Sequence, residues 1–192
     1  MSSVRSNAMI QAEADVRARA DHHNGKEAAA LRQGLAVSGG AVVNVHDVAA
    51  FILKKVGPMT AMKLQKLVYY SQAWSLVWDE APLFPERIEA WANGPVCPAL
   101  YEVHKGQFTI LAWPQGDPKE LSKVQRETVE QVIKSYGRLS SQELSDLTHR
   151  EDPWKDARAG YPPAMRSNVE ITQSAMAEYY EGLSESDNAA AI

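Results

Sequence analysis

The amino-acid sequence predicts a mainly α-helical protein: a compact single domain of about six helices around a central buried helix, with at most two short β-strands. The first observation is segment 58–78, in which small and apolar residues recur at helical spacing without an internal Gly or Pro. The second is a pair of helix-start patterns between 122 and 143, in which Ser is followed three residues later by Gln or Glu. The third is the scarcity of the apolar–polar alternation that is typical of strands.

Length and composition are those of an ordinary globular protein. The chain has 192 residues, of which 45% are apolar and 23% are charged. The formal net charge of -4 argues against nucleic acid as the main ligand, because phosphate binding requires a basic surface. Cys97 is the single cysteine, so no internal disulfide can form, which fits a reducing compartment. Since the sequence shows neither a signal peptide nor a membrane-spanning stretch, we expect a cytoplasmic protein without a membrane partner.

Composition divides the chain into three parts. Residues 1–43 are predicted to be a flexible or partly helical N-terminal extension, because segment 8–34 has few large apolar side chains and cannot fold alone. Residues 44–183 form the predicted domain. Residues 184–192 are predicted to be a disordered C-terminal tail.

The domain is predicted to begin with two helices. The first is capped by Asn44 or Asp47 and ends at Gly57. Thr60 caps the central helix, which is apolar on most sides and is therefore expected to be buried. The residues interpreted as solvated are near its start: Lys63, Gln65 and Lys66.

The middle of the domain is predicted to be less regular. Ile88 and Ala90 alternate with polar residues and indicate a short strand, which is followed by a turn signal at 93–95. Pro98 suits the first turn of a short helix, because its missing N–H is not needed there. Residues 107–121 are predicted to be a loop.

Four further helices and a second short strand complete the prediction. Capping patterns start helices at Ser122 and Ser140, and an Asp-Pro pair starts another at residue 152. The second strand is placed at 169–171. Thr172 caps the last helix, which Gly182 is expected to end.

No residue pattern indicates a catalytic or metal centre. HExxH, CxxC and HxH are absent, and His104 and His149 are far apart in sequence. Each histidine is interpreted as a hydrogen-bonded residue of the fold, and Cys97 as a small buried hydrophobe. We therefore predict no enzyme, no catalytic residue, no metal and no cofactor.

Three of the tryptophans are predicted to be core residues, and two are not assigned. Trp74, Trp78 and Trp91 are predicted to lie in the core, where large aromatic residues of a buried helix usually pack. Trp113, in the loop, and Trp154, at a helix start, are left open between core and exposed interface positions, where Trp is enriched.

Four separated segments resemble a known family. They read KLQKLVYYSQAW at 63–74, PLF at 82–84, IEAWANGPVCPALY at 88–101 and LSSQELSDLTHREDPWKDAR at 139–158. Their order resembles the SocA-like or Panacea domain, also called the GepA family, with its KLQKLLYY helix, IEAW-x-x-GPV turn and LT-H-x-x-x-PW segment. The resemblance covers the whole predicted domain. It departs from the family at two positions: Asn93, where an aromatic residue is common, and Cys97.

The resemblance implies an antitoxin that neutralises a cognate protein toxin by direct binding. In the SocA type it implies a proteolytic adaptor that delivers a SocB-like toxin, directed against the replication clamp, to the ClpXP protease, and we extend this role to the chain as a hypothesis. The small apolar C-terminal residues 188–192 are a candidate protease contact, with an inert tail as the alternative. The alternative functions are inhibition by binding alone and a small hydrolase using His104 or His149. A transcriptional regulator is disfavoured by the acidic balance.

The same resemblance directs attention to one side of the central helix. Lys63, Lys66 and Tyr70 recur there at three- and four-residue steps, on the side that leads towards the turn carrying Trp91. We predict that these four residues and Tyr101 bind the partner protein. A solvated helix start is the alternative explanation for the two lysines.

Overall fold

The computed structural model describes residues 7, 10–12, 14–15, 43–162 and 164–185, which are the described residues below. Between 43 and 185 the helices are α1 Val45–Val56, α2 Ala61–Trp78, α3 Pro98–His104, α4 Lys123–Tyr136, α5 Ser141–Thr148, α6 Asp152–Ala157 and α7 Gln173–Glu185. The strands are β1 Met59–Thr60, β2 Ile88–Trp91, β3 Gly94–Val96, β4 Thr109–Ile110 and β5 Glu170–Ile171. Most of the predicted extension and residues 186–192 of the predicted tail lie outside the described residues.

The mainly α class is confirmed, but the prediction of at most two strands is wrong. Residues 43–162 and 164–185 contain five strands and seven helices. Strands β1 and β4 have two residues each, which is too short to show alternation, and β4 lies in the predicted loop. Strand β3 contains a Gly and a Pro, so its sequence reads as a turn. The last helix also continues past Gly182 to Glu185.

Helix α2 forms the centre of the domain, as predicted. It packs against α1, α4, α5 and α7, and against strand β3. Thr60 caps its start by accepting a hydrogen bond from the backbone N–H of Lys63 at 3.2 Å. Trp74 and Trp78 are buried and stack with ring centroids 4.8 Å apart.

The start of α2 is more buried than the sequence predicts. Gln65 and Lys66 are only 3% and 1% exposed, so their interpretation as solvated residues is wrong. Lys63 is half-buried, and its ammonium donates to the carbonyl of Gly137 at 2.7 Å. The cause is tertiary: strand β3 packs against this helix, which its own sequence cannot reveal.

The predicted helix starts are confirmed at α1, α4 and α5. Each has a reciprocal capping box, formed by Asn44 with Asp47, Ser122 with Gln125, and Ser140 with Glu143. At α1 both proposed capping residues take part, because each side chain accepts a hydrogen bond from the backbone of the other. Asp47 also accepts a bond from the N–H of Asp117 at 2.8 Å, which ties the long loop after β4 to α1.

Two small antiparallel sheets lie beside the helices. In one, β1 pairs with β4, with Met59 opposite Ile110. In the other, β2 lies between β3 and β5, with Trp91 opposite Gly94 and Ile88 opposite Ile171. Strands β2 and β3 form a hairpin, residues 88–96, whose tight turn leaves Gly94 at φ +102.

Gly94 provides a test of how closely the hairpin approaches the helices. A Cβ at this position would lie 2.6 Å from Lys66 Cε and 2.8 Å from Thr148 Oγ1. We expect Gly94→Ala to lower the free energy of unfolding by about 2–4 kcal/mol, from backbone strain and overpacking together. Urea denaturation followed by circular dichroism measures this loss.

Gly106→Ala is the matched control for that substitution. Gly106 also has a positive φ, of 81, but a Cβ there would have nothing within 4 Å. The control should lose only about 1 kcal/mol, the cost of the strained backbone alone. Equal losses in the two variants would contradict close packing at the hairpin turn.

Candidate functional site

A cleft of about 590 Å³ lies between the start of α2, the β2–β3 hairpin and α3. The loop before β4 and residues 164 and 166 close its sides. The side chains that line it include Gln65, Lys66, Trp91, Tyr101, His104, Phe108 and Arg166. We call this space the cleft.

One side of the hairpin is fixed by side chains from α5, α6 and their flanks. Arg158 donates to the carbonyl of Ala90 at 2.9 Å, and Trp154 donates to the carbonyl of Trp91 at 2.9 Å. Ser145 donates to the carbonyl of Asn93 at 3.0 Å. His149 adds a hydrogen bond to the backbone of Ala92. Four successive residues of the hairpin are therefore anchored one by one.

The other side of the hairpin is fixed from α2. Lys66 donates to the carbonyl of Pro95 at 2.9 Å. The amide oxygen of Gln65 accepts from the N–H of Cys97 at 2.8 Å, and its amide nitrogen lies 3.3 Å from the carbonyl of the same residue. The two polar residues buried at the start of α2 thus bind backbone groups of the hairpin and of Cys97, the residue that follows it.

Lys66 has an unusual electrostatic environment. Burial lowers the pKa of its ammonium to about 7, although attraction by Glu151 acts in the opposite direction. The Glu151 carboxylate accepts hydrogen bonds from Tyr70 at 3.0 Å and Tyr180 at 2.8 Å. Burial, with the nearby Glu151 charge, raises the pKa of both tyrosines well above the ordinary value, so their hydroxyls remain donors.

The two histidines occupy separate environments. The His104 ring nitrogen Nε2 lies 2.9 Å from the Gln65 amide nitrogen, and burial lowers the pKa of the imidazole, so neutral His104 accepts this hydrogen bond. His149 stacks on Trp154 with ring centroids 4.1 Å apart. Burial lowers its pKa too, and its Nε2 is buried without a partner among the described residues. Both histidine rings therefore contact side chains that hold the hairpin, Gln65 and Trp154.

The arrangement is suited to binding rather than to nucleophilic chemistry. Burial raises the pKa of Cys97 to about 11, which keeps it a thiol at neutral pH. The His104 ring is hydrogen-bonded to Gln65 and the His149 ring stacks on Trp154. Within residues 43–162 and 164–185, no cluster of metal-ligating side chains occurs. None of the described helices is long and apolar enough to cross a membrane.

The structure brings together three of the five predicted binding residues. Lys66, Trp91 and Tyr101 line the cleft, and the Trp91 and Tyr101 rings meet edge to face at 4.7 Å. Trp91 is therefore half-buried rather than in the core. Lys63 lies outside the cleft lining, and Tyr70 is fully buried beside Glu151, stacked on Tyr136 at 4.0 Å.

Of the seven lining residues named above, the sequence did not predict four. Gln65 lies in the first motif segment, where the sequence predicts a solvated residue. His104 follows the third segment closely and is predicted to be a structural residue. Phe108 and Arg166 lie outside every motif, and no local pattern places them at the cleft. The Arg166 guanidinium lies 5.5 Å from the Trp91 ring centroid, a cation–π distance.

The lowered pKa of Lys66 predicts a pH dependence of stability. Between pH 7 and 10.5 the unfolded chain holds the Lys66 proton more tightly than the folded chain, so the contribution of Lys66 to stability rises with pH. We expect the stability of the wild type relative to Lys66→Met to increase from pH 6.5 to pH 9, at up to about 1.4 kcal/mol per pH unit above pH 7. Urea denaturation of both proteins over this range measures the difference.

Lys134→Met, at an exposed position on α4, is the control. Its stability should follow that of the wild type across the same pH range. A constant difference between wild type and Lys66→Met at every pH would contradict a buried ammonium that titrates near neutrality.

Comparison with known proteins identifies one family model and one curated relative. Residues 64–155 match the model of the family described as antitoxin SocA-like, Panacea domain. The chain is 27% identical over 135 residues to Antitoxin SocA of Caulobacter vibrioides (strain NA1000 / CB15N), and the alignment covers 58% of this chain and 69% of that protein. No solved structure matches the chain.

The matched region contains most of the anchoring side chains. It begins within α2, includes the whole hairpin and α3, and ends within α6. An identity of 27% is too low to equate the chain with the Caulobacter protein. Over residues 64–155, this chain is similar to the Panacea domain of SocA-like antitoxins.

Proposed function

We propose that this protein is an antitoxin that neutralises a cognate protein toxin by binding it directly. The observation that carries the proposal is the family match, because residues 64–155 include the elements that build the cleft. We further propose that it is a cytoplasmic proteolytic adaptor, which delivers a SocB-like toxin directed against the replication clamp to ClpXP.

The cleft supports a binding role through its side chains. Aromatic residues and Arg are enriched where proteins meet, and Trp91, Tyr101 and Arg166 lie side by side here. Phe108 is 81% exposed, so its ring is available for contact with a partner. These groups provide a contact surface without a catalytic constellation.

The five predicted binding residues acquire different proposed roles. Trp91 and Tyr101 contact the toxin, and Lys66 provides charge at the floor of the cleft. Tyr70 acts from behind, because its hydroxyl holds the Glu151 carboxylate that attracts Lys66. Lys63 supports the start of α2 through its bond to Gly137.

An adaptor also needs a surface for the protease. The small apolar residues 188–192 supply the proposed contact, since an exposed chain end of this kind is easily gripped. These residues lie outside the described part of the chain, and the proposal rests on their sequence alone.

The antitoxin proposal is tested by co-expression with the neighbouring reading frame. Expression of that frame alone should stop growth, and the wild-type protein should restore growth and co-purify with its product. Trp91→Ala should weaken co-purification about tenfold or more, as truncation of an aromatic anchor does at protein interfaces. Leu111→Ala is the control, because Leu111 is also apolar and 74% exposed but does not line the cleft.

The alternatives give different results in the same system. With purified ClpXP, an adaptor shortens the lifetime of the toxin, and removal of residues 186–192 abolishes this effect. Inhibition by binding alone leaves the toxin intact but inactive. A hydrolase using His104 or His149 would lose protection in the His→Ala variants while still binding the toxin. A neighbouring product that is neither toxic nor bound contradicts the antitoxin proposal.

A further inference from the structure

The charges that line the cleft have one sign. Lys66 and Arg166 are cationic, His104 is the other titratable nitrogen, and no Asp or Glu is found among the described lining residues. The whole chain has a net charge of -4, so this local excess opposes the overall balance. A bound group that complements the cleft is therefore an anion.

The Lys66 ammonium has hydrogen-bonding capacity to offer such an anion. It is 1% exposed, yet it lines the cleft, and its bond to the Pro95 carbonyl uses one of three N–H groups. A buried ammonium is costly when its hydrogen bonds are incomplete, and a carboxylate in the cleft would complete them.

The walls of the cleft are apolar, which limits the kind of molecule that carries this anion. Met62, Trp91 and Phe108 lie around the entrance, and Phe108 is 81% exposed. A volume of about 590 Å³ lies within the usual range of about 300–1,000 Å³ for sites that enclose a ligand. The cleft therefore suits a short piece of polypeptide better than a free ion.

We propose that the cleft binds an extended segment of the toxin, with an Asp or Glu side chain paired to Lys66 and apolar neighbours packed on Trp91 and Phe108. The identification of the segment with the toxin rests on the proposed function, whereas the chemistry of the segment rests on the cleft. We assign the carboxylate to an internal acidic side chain, because Trp91 and Phe108, on two separate elements, offer apolar contacts to the residues that precede and follow it.

Three blocked peptides test this chemistry without the toxin. The full chain is titrated at pH 6.5, below the pKa of Lys66, with acetyl-Leu-Glu-Leu-amide, acetyl-Leu-Gln-Leu-amide, and acetyl-Leu-Gln-Leu with a free carboxyl end. Amide NMR shifts give the location and the affinity. We expect the Glu peptide to bind at the cleft at least about tenfold more tightly than either Gln peptide.

Substitutions assign the preference to particular side chains. Lys66→Met should reduce the Glu preference to near unity, whereas Lys134→Met should preserve it. Phe108→Ala should weaken both amide-capped peptides to a similar extent, since it removes apolar contact without changing charge. Arg166→Gln, at an exposed position, should lower the Glu preference and remains informative if Lys66→Met does not fold.

The inference is overturned by any one of four results: equal affinity for the Glu and Gln peptides, tighter binding of the peptide with a free carboxyl end, NMR shifts confined to another surface, or no saturable binding at millimolar peptide. Failure of the toxin proposal is recognised separately, because the peptide preference is measured without any toxin. If the toxin is bound and neutralised equally by wild type, Phe108→Ala and Arg166→Gln, the antitoxin role stands and the cleft is not its contact site.

Discussion

Hydrogen bonds from helix side chains to the backbone of the β2–β3 hairpin are the constraint on which the rest of the structure depends. The hairpin is short and contains a Gly and a Pro, so its own ladder offers few bonds. Instead, Gln65 and Lys66 bind it from α2, and Trp154 and Arg158 bind it from α6 and the residue that follows. Because these bonds, with the one from Ser145 on α5, join three helices to the same few residues, the hairpin fixes how α2, α5 and α6 are placed around the cleft.

This constraint explains why local patterns predicted the helices better than the site. The capping boxes and the apolar surface of α2 are encoded within a few residues of the elements they define, so sequence alone located them. The burial of Lys66 and the position of Trp113, only 6% exposed, depend on chain that is distant in sequence. Trp113 donates to the ring nitrogen Nδ1 of His46 at 3.2 Å, a contact that joins the loop to α1 and that no spacing rule could show.

The same difference between local patterns and distant contacts explains why only some of the cleft residues were predicted. Trp91 and Tyr101 were found because the motif segments contain them and the hairpin brings their rings together. Tyr70 was grouped with Lys66 because both lie on one side of α2, yet that side faces the interior, where Tyr70 donates to Glu151. Helical spacing identifies which residues share a side, but not whether that side meets solvent or protein.

The residues that carry the family resemblance and the residues exposed for recognition have different physical tasks. Gln65, Trp154 and the Gly94 turn face inwards and hold the hairpin, so changes there alter the scaffold. Phe108 and Arg166 lie outside the motif segments, and substitution at these exposed positions costs little stability. The family resemblance therefore depends largely on inward-facing residues that hold the scaffold, whereas the proposed contact surface combines the motif residues Trp91 and Tyr101 with Phe108 and Arg166, which the motifs do not contain.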